Sequence, residues 1–255
     1  MVMAGRILIT GSTRGIGRAT AEILAAQGAE VILHGRRRED VDAAVARLAF
    51  ASAPVSGVAA DLASRAEVAR LAETAGEVDV LINCAGIYEE QAAENLDAQS
   101  WARTMDVNLT APWLLSRLLL DGLKHRHGLI INVASDAGFL GIAGGGTYCA
   151  SKGGLIGLTK ALAVELAPDV RALCICPGPV DTDMMKQTVA AAQDQEAAHV
   201  QWTNYALLKR TADAREIASL IAYAASKDAA FATGSVWLMD GGLTAGKRLY
   251  QKPGL

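Results

Sequence analysis

A chain of 255 residues, 51% of them apolar, holds enough hydrophobic material for one large core, and its net charge of −3 argues against a polyanion such as nucleic acid as partner. No stretch approaches ~18 uninterrupted apolar residues; even Trp113 to Leu120 contains Ser116 and Arg117, so no membrane span is expected. The opening Met1-Val2-Met3-Ala4 lacks the basic region of a secretory signal, which points to a cytoplasmic protein.

In chain order, the apolar run from Arg6 to Thr10 reads as a buried strand that feeds directly into Gly11-Ser12-Thr13-Arg14-Gly15-Ile16-Gly17 and an alanine-rich helix to Gln27. Glycines at 11, 15 and 17 let the backbone turn tightly and approach a pyrophosphate, while the new helix offers its first amides and positive dipole to the anion. Further strands are predicted at 30–34, 55–60, 79–83, 128–134, 171–176 and 235–239, with helical periodicity between them. This alternation predicts right-handed βαβ units, and hence a single-domain α/β Rossmann fold over 1–255 with a doubly wound parallel sheet of about seven strands. Ligands of such sheets bind beyond the carboxyl ends of the strands, where Gly11, Asp61, Asn83 to Gly86, Ser135 and Pro177 all fall. Asp61 in that crevice suits the adenine amino group; its competing reading is an ordinary residue at a helix start.

Tyr148 and Lys152 stand four residues apart, so on a helix the lysine can hold its ammonium beneath the phenol ring. That charge is expected to favour the phenolate and bring the phenol toward a working pH. Ser135, thirteen residues before Tyr148, reads by itself as a turn residue at a strand end, and Asp136 is expected to be exposed. Four cysteines, at 84, 149, 174 and 176, lack metal-ligand spacing, and Cys174 and Cys176 read as core filling on a strand. Four scattered histidines form no pair at ligand spacing, so no catalytic metal is predicted.

Taken together, Thr10 to Gly17, Asp61-Leu62, Asn83-Cys84-Ala85-Gly86, Asn108, Ser135, Tyr148 with Lys152, and Pro177-Gly178-Pro179-Val180-Asp181-Thr182 resemble the short-chain dehydrogenase/reductase family in its compact branch, from about residue 5 to 245. Cys84 departs from the family, which commonly has a second asparagine there. The resemblance implies a nicotinamide dinucleotide held by residues 11–17, Asp61-Leu62, Asn83, Ala85-Gly86, Tyr148, Lys152, Pro177-Gly178, Val180 and Thr182, with Asn108, Ser135, Tyr148 and Lys152 as the catalytic set. The implied reaction interconverts a ketone or aldehyde and a secondary alcohol. It also implies a water on the Asn108 carbonyl, which Pro112 would release from a long helix because proline has no amide hydrogen.

Gly35 replaces the acidic residue expected of an NAD-specific relative, and Arg36 and Arg14 occupy positions where NADP-using members often clamp the 2′-phosphate. NADP(H) is therefore the expected cofactor, with NAD(H) as the alternative, and Arg36 to Arg38 as a solvated helix start is the competing reading. Residues 183–205 correspond to the substrate-covering segment, with Met184, Met185, Val189, Trp202 and Tyr205 as lid or core, and Gly141 and Gly144 to Gly146 loosening the opposite wall. A homotetramer is implied, paired through helices near 98–122 and 148–167 by Leu114, Leu118, Leu155 and Leu158, with residues 236–255 forming a second contact. The substrate is left open among ketones, polyols, sugars and hydroxysteroids. The rival class is a catalytically silent dinucleotide-binding regulator, which cofactor turnover would separate.

Overall fold

The computed structural model of the protein describes residues 5–246. Its main sheet runs through β1 (Arg6–Ile9), β2 (Glu30–Gly35), β3 (Val55–Ala59), β4 (Val80–Asn83), β5 (Leu129–Val133), β6 (Arg171–Pro177) and, after a separate pair, β9 (Val236–Met239). All seven pair in parallel in the order β3-β2-β1-β4-β5-β6-β9. The pair, β7 (Val180–Asp181) with β8 (Ala212–Asp213), consists of two-residue strands too short to leave an alternation in the sequence.

Helices cover both faces because successive strand residues point to opposite sides. Ile7 and Ile9 bury against α1 (Gly15–Ala26) and α10 (Ala214–Ala224), on the side of Leu24, Ile217 and Ile221. Leu8 faces the other way, toward α3 (Arg65–Ala75) and α5 (Ala111–Leu118), among Leu71, Leu81, Leu115 and Leu123. Each fully buried leucine or isoleucine contributes on the order of 1.5–3 kcal/mol of burial free energy. Connections leave β1 and β4 in opposite directions, so the sheet parts at their carboxyl ends and a crevice opens there.

The long helix expected around Asn108 is instead three pieces: α4 (Ala98–Met105), a π-turn (Asp106–Thr110) and α5. Pro112 has no amide to send back along the ladder, and the Ala111 amide reaches five residues back, to the Asp106 carbonyl. The turn carries Asn108 toward α7 (Gly146–Leu166), the helix that bears Tyr148 and Lys152. Among the described residues, no helix is long and apolar enough to cross a membrane.

Candidate active site

A cavity of about 750 Å³ lies along the carboxyl ends of the strands and is lined at one end by the glycine loop after β1. Gly11 takes φ +66°, and a Cβ there would come within 2.7 Å of the Ala85 Cα, so only glycine lets the loops after β1 and β4 meet. The first turn of α1 has no capping side chain and no acidic residue, which leaves its amides for an anion. The Gly11 amide donates to His34 Nδ1 at 3.1 Å, and His34 Nε2 donates to the Ala60 carbonyl at 3.0 Å. Burial holds this imidazole neutral, its pKa drawn down to about 4.

Basic side chains gather at the same end. Arg37 pairs with Glu39 and Asp40, and Arg38 with Asp42, as a solvated helix start should. Arg14 and Arg36 line the cavity and form no ion pair among the described residues. Asp61 also lines it; Oδ1 accepts from the Ala63 amide at 3.0 Å and Oδ2 lies 3.6 Å from Arg103 Nη1. Asp61 does not cap α3, whose first turn is capped by Ser64.

At the other end, α7 brings Tyr148 and Lys152 opposite Ser135 at the end of β5. Lys152 is buried, and its Nζ donates to the Val133 carbonyl at 2.9 Å while lying 5.6 Å from the centroid of the Tyr148 ring. The expected pull of this ammonium is not what sets the phenol's pKa. Burial raises the Tyr148 pKa above its ordinary value, and Ser135, by hydrogen bonding, is the group that works the other way. Burial also lowers the Lys152 pKa. Tyr88 stacks edge-on against Tyr148, ring centroids 5.2 Å apart.

Asp136 corrects another expectation: it is buried rather than exposed, 5% accessible, because the chain turns at Ser135 into a short 3-10 segment that folds its carboxylate inward. Ser135 Oγ donates to Asp136 Oδ1 at 2.7 Å, and so does the Ala137 amide at 2.8 Å.

Most of the motif residues meet on this one cavity wall: Gly11, Thr13 to Gly17, Arg36, Asp61, Leu62, Ala85, Gly86, Ser135, Tyr148, Lys152, Pro177, Gly178, Val180 and Thr182. Ser12, Asn83 and Asn108 stand behind it. Ser12 Oγ ties β1 to β2 through the Ile9 carbonyl and the His34 amide. Asn83 Nδ2 donates to Asn132 Oδ1, and Asn132 Nδ2 donates in turn to Thr159 Oγ1 on α7. Asn108 exchanges bonds with both the amide and the carbonyl of Ile87, and donates to Ser151 Oγ, which donates to the Tyr148 carbonyl. Asn132, Ser151 and Thr159 escaped the sequence reading because each looks like an ordinary polar residue until the fold brings its partner from another element.

Of the lid candidates, Met184, Met185, Trp202 and Tyr205 line the cavity, from α8 (Asp183–Ala191) and α9 (Gln195–Tyr205), whereas Val189 does not. On the opposite wall it is Ile142, between the glycines, that faces in. Cys84 lines the cavity as a protonated thiol, its pKa pushed up to about 12 by burial.

A family model described as short chain dehydrogenase matches residues 6–193. An uncharacterized oxidoreductase of Thermotoga maritima is 34% identical, with 94% of this chain and 97% of that one covered. The 3-oxoacyl-acyl-carrier-protein reductase FabG of Vibrio cholerae is 36% identical over 95% of this chain and 99% of its own. A solved structure of a short chain dehydrogenase/reductase family protein superposes with a TM-score of 0.85 at 32% identity, covering 94% of this chain and 97% of the other. The chain belongs to the short-chain dehydrogenases, a family of oxidoreductases that bind NAD(P) and act on small molecules.

Proposed function

We propose that the protein is an NADP(H)-dependent oxidoreductase that interconverts a carbonyl compound and its alcohol, a ketone with a secondary alcohol or an aldehyde with a primary one, with Tyr148 as general acid and base. The observation that carries this reading is that one cavity holds both the glycine loop with Arg14 and Arg36, which have no ion pair among the described residues, and the group Ser135, Tyr148 and Lys152. The residues fit a dinucleotide: a loop without side-chain bulk at Gly11, free first-turn amides on α1, and two guanidiniums whose planar donors suit a phosphate. When bound, the nicotinamide supplies or accepts the hydride and is cationic in its oxidised form.

A phenol held protonated by burial suits the reductive direction, in which Tyr148 gives its proton to the carbonyl oxygen. Lys152, anchored on the Val133 carbonyl, lies beside the ring and stabilises the phenolate left behind. On substrate binding, Ser135 Oγ would turn its single proton from Asp136 Oδ1 to the substrate oxygen and hold it in line. Asn108 positions the Tyr148 backbone through Ser151, and a water on the Asn108 carbonyl would connect Lys152 to solvent. The helices α8 and α9 cover the substrate.

A panel of ketones, sugars, polyols and hydroxysteroids, assayed with both reduced and both oxidised nucleotides, tests this reading. Turnover with NADPH or NADP is expected; nucleotide binding without turnover on any member would favour a silent regulator.

A further inference from the structure

Asp136 is a carboxylate buried beside the reacting groups, and its negative charge is not neutralised by any described residue. Without substrate its Oδ1 accepts from Ser135 Oγ and the Ala137 amide, whereas no described residue donates to Oδ2, which is not sealed off from the cavity that Asp136 helps to line. The charged neighbour that acts on it is another carboxylate, Asp240, and burial and this repulsion together raise its pKa. An unpaired buried carboxylate is costly in a folded protein, and at a binding site the ligand is the natural partner.

The rest of this end of the cavity offers no free cation among the described residues, and the other carboxylate on the lining beside it, Asp183 at the start of α8, is exposed. The walls of this end are aromatic and thioether groups, among them Tyr88, Trp202 and Met185. Its basic group is Lys152, already engaged with the Val133 carbonyl and Tyr148, while Arg103 is paired with Asp61 at the nucleotide end. A substrate carboxylate would therefore meet Asp136 without a free cation to offset the repulsion.

Geometry narrows the class further. Asp136 Oδ1 is one hydrogen bond from Ser135 Oγ, so it lies at most two hydrogen-bond lengths, ~4.5–5.5 Å, from an oxygen held by Ser135. A substituent on the carbon next to the carbonyl spans that gap. Resting on the reading of Ser135 and Tyr148 as the groups that hold the reacting oxygen, we propose that Asp136 selects substrates with a hydrogen-bond donor, a hydroxyl or an ammonium, on the adjacent carbon, and rejects keto acids.

A matched series tests this: propiophenone, phenacyl alcohol, phenacylamine and phenylglyoxylate, which place a methyl, hydroxyl, ammonium or carboxylate beside one aryl ketone. Two readouts are needed with wild type and Asp136→Asn, namely kcat/KM with the reduced nucleotide and binding followed by quenching of tryptophan fluorescence, since Trp202 lines the cavity. Wild type should favour a donor-bearing ketone over propiophenone by about 10- to 100-fold, the size expected of a charge-assisted hydrogen bond. Phenylglyoxylate should be the poorest, and Asp136→Asn should compress the whole range. A lead for phenacylamine assigns a cationic substrate and a lead for phenacyl alcohol a polyhydroxy one; either supports the proposal. It is overturned if wild type takes propiophenone or phenylglyoxylate as well as the donors, or if Asp136→Asn slows all four equally, which would mean that Asp136 acts only by positioning Ser135. Absence of turnover throughout would count against the oxidoreductase reading, and the binding series would still decide this one.

Discussion

A Cβ on Gly35 would lie 2.5 Å from Thr13 Cγ2 and 3.1 Å from Val41 Cγ2, so β2 ends at a position with no room for a side chain. An acidic receptor for both ribose hydroxyls cannot be added there without moving the glycine loop. Gly35→Asp should destabilise the protein by about 1–3 kcal/mol, the usual cost of overpacking. Thr13→Ser, which removes the Cγ2, should restore part of it, as read from the denaturant midpoint. A Gly35→Asp protein as stable as wild type would show that the loop yields freely.

Cofactor preference should then depend on the neighbouring guanidinium. Arg36 has no ion pair among the described residues, so its charge is available to a 2′-phosphate. Losing a charged hydrogen bond costs roughly 1.5–3 kcal/mol, or about 10- to 150-fold in affinity. Arg36→Ala is expected to weaken NADPH by that factor and to leave NADH nearly unaffected in direct titrations. Higher catalytic efficiency of the wild type with NADH would overturn the assignment.

Tyr148→Phe deletes the proton donor and retains the ring that packs against Tyr88. Turnover should fall by about 10²- to 10⁴-fold, the range for general acid–base groups, with cofactor binding preserved. Lys152→Met should lower both turnover and cofactor affinity, because the ammonium sits at the junction of the two ends of the cavity. Activity near wild type in folded Tyr148→Phe protein would rule out this proton donor.

His34 predicts a pH dependence of stability. Its folded pKa is drawn from 6.5 down to about 4 by burial, so between these values the unfolded chain binds a proton that the folded chain refuses. Stability is highest above pH 6.5, declines as the pH falls toward 4, and levels off for this group below that. The 2.5-unit difference between the two values corresponds to about 3 kcal/mol. Denaturant titrations from neutral to acidic pH should show a shallower decline in His34→Asn than in wild type. Equal slopes would remove His34 as the cause.

A homotetramer remains our proposal for the assembly, on a revised set of contacts. Leu155 is buried, and Leu114 and Leu158 pack partly against the core, so these three are largely used within the chain. Leu118 is exposed at 41%, together with Trp101 at 41% and Trp113 at 45% on α4 and α5. In the second region Leu238 is exposed, while residues 247–255 lie outside the described residues. Trp113→Glu with Leu118→Glu should lower the mass measured by light scattering. A monomeric wild type at micromolar concentration would end the proposal.

The seven main strands and the α/β class were legible in the amino-acid order because their signals are local. Apolar runs such as Ile7 to Ile9 and Leu129 to Val133 need a sheet buried on both faces, and glycines after β1 leave no alternative to a tight turn. The four-residue interval from Tyr148 to Lys152 likewise becomes a shared helix face without reference to anything distant. Other features depended on partners from elsewhere in the chain. Asp136 looked like a surface residue until α7 and β6 packed against its turn, and burial likewise raised the Tyr148 pKa that the lysine was expected to lower. Ser12, Asn83 and Asn108 occur in motifs that border the cavity, yet their side chains point back to hold β2, Asn132 and Ile87. Periodicity and spacing determine which elements form. Burial and hydrogen-bond partnership, which set the charge and direction of each group in the site, exist only once residues distant in the chain have packed together.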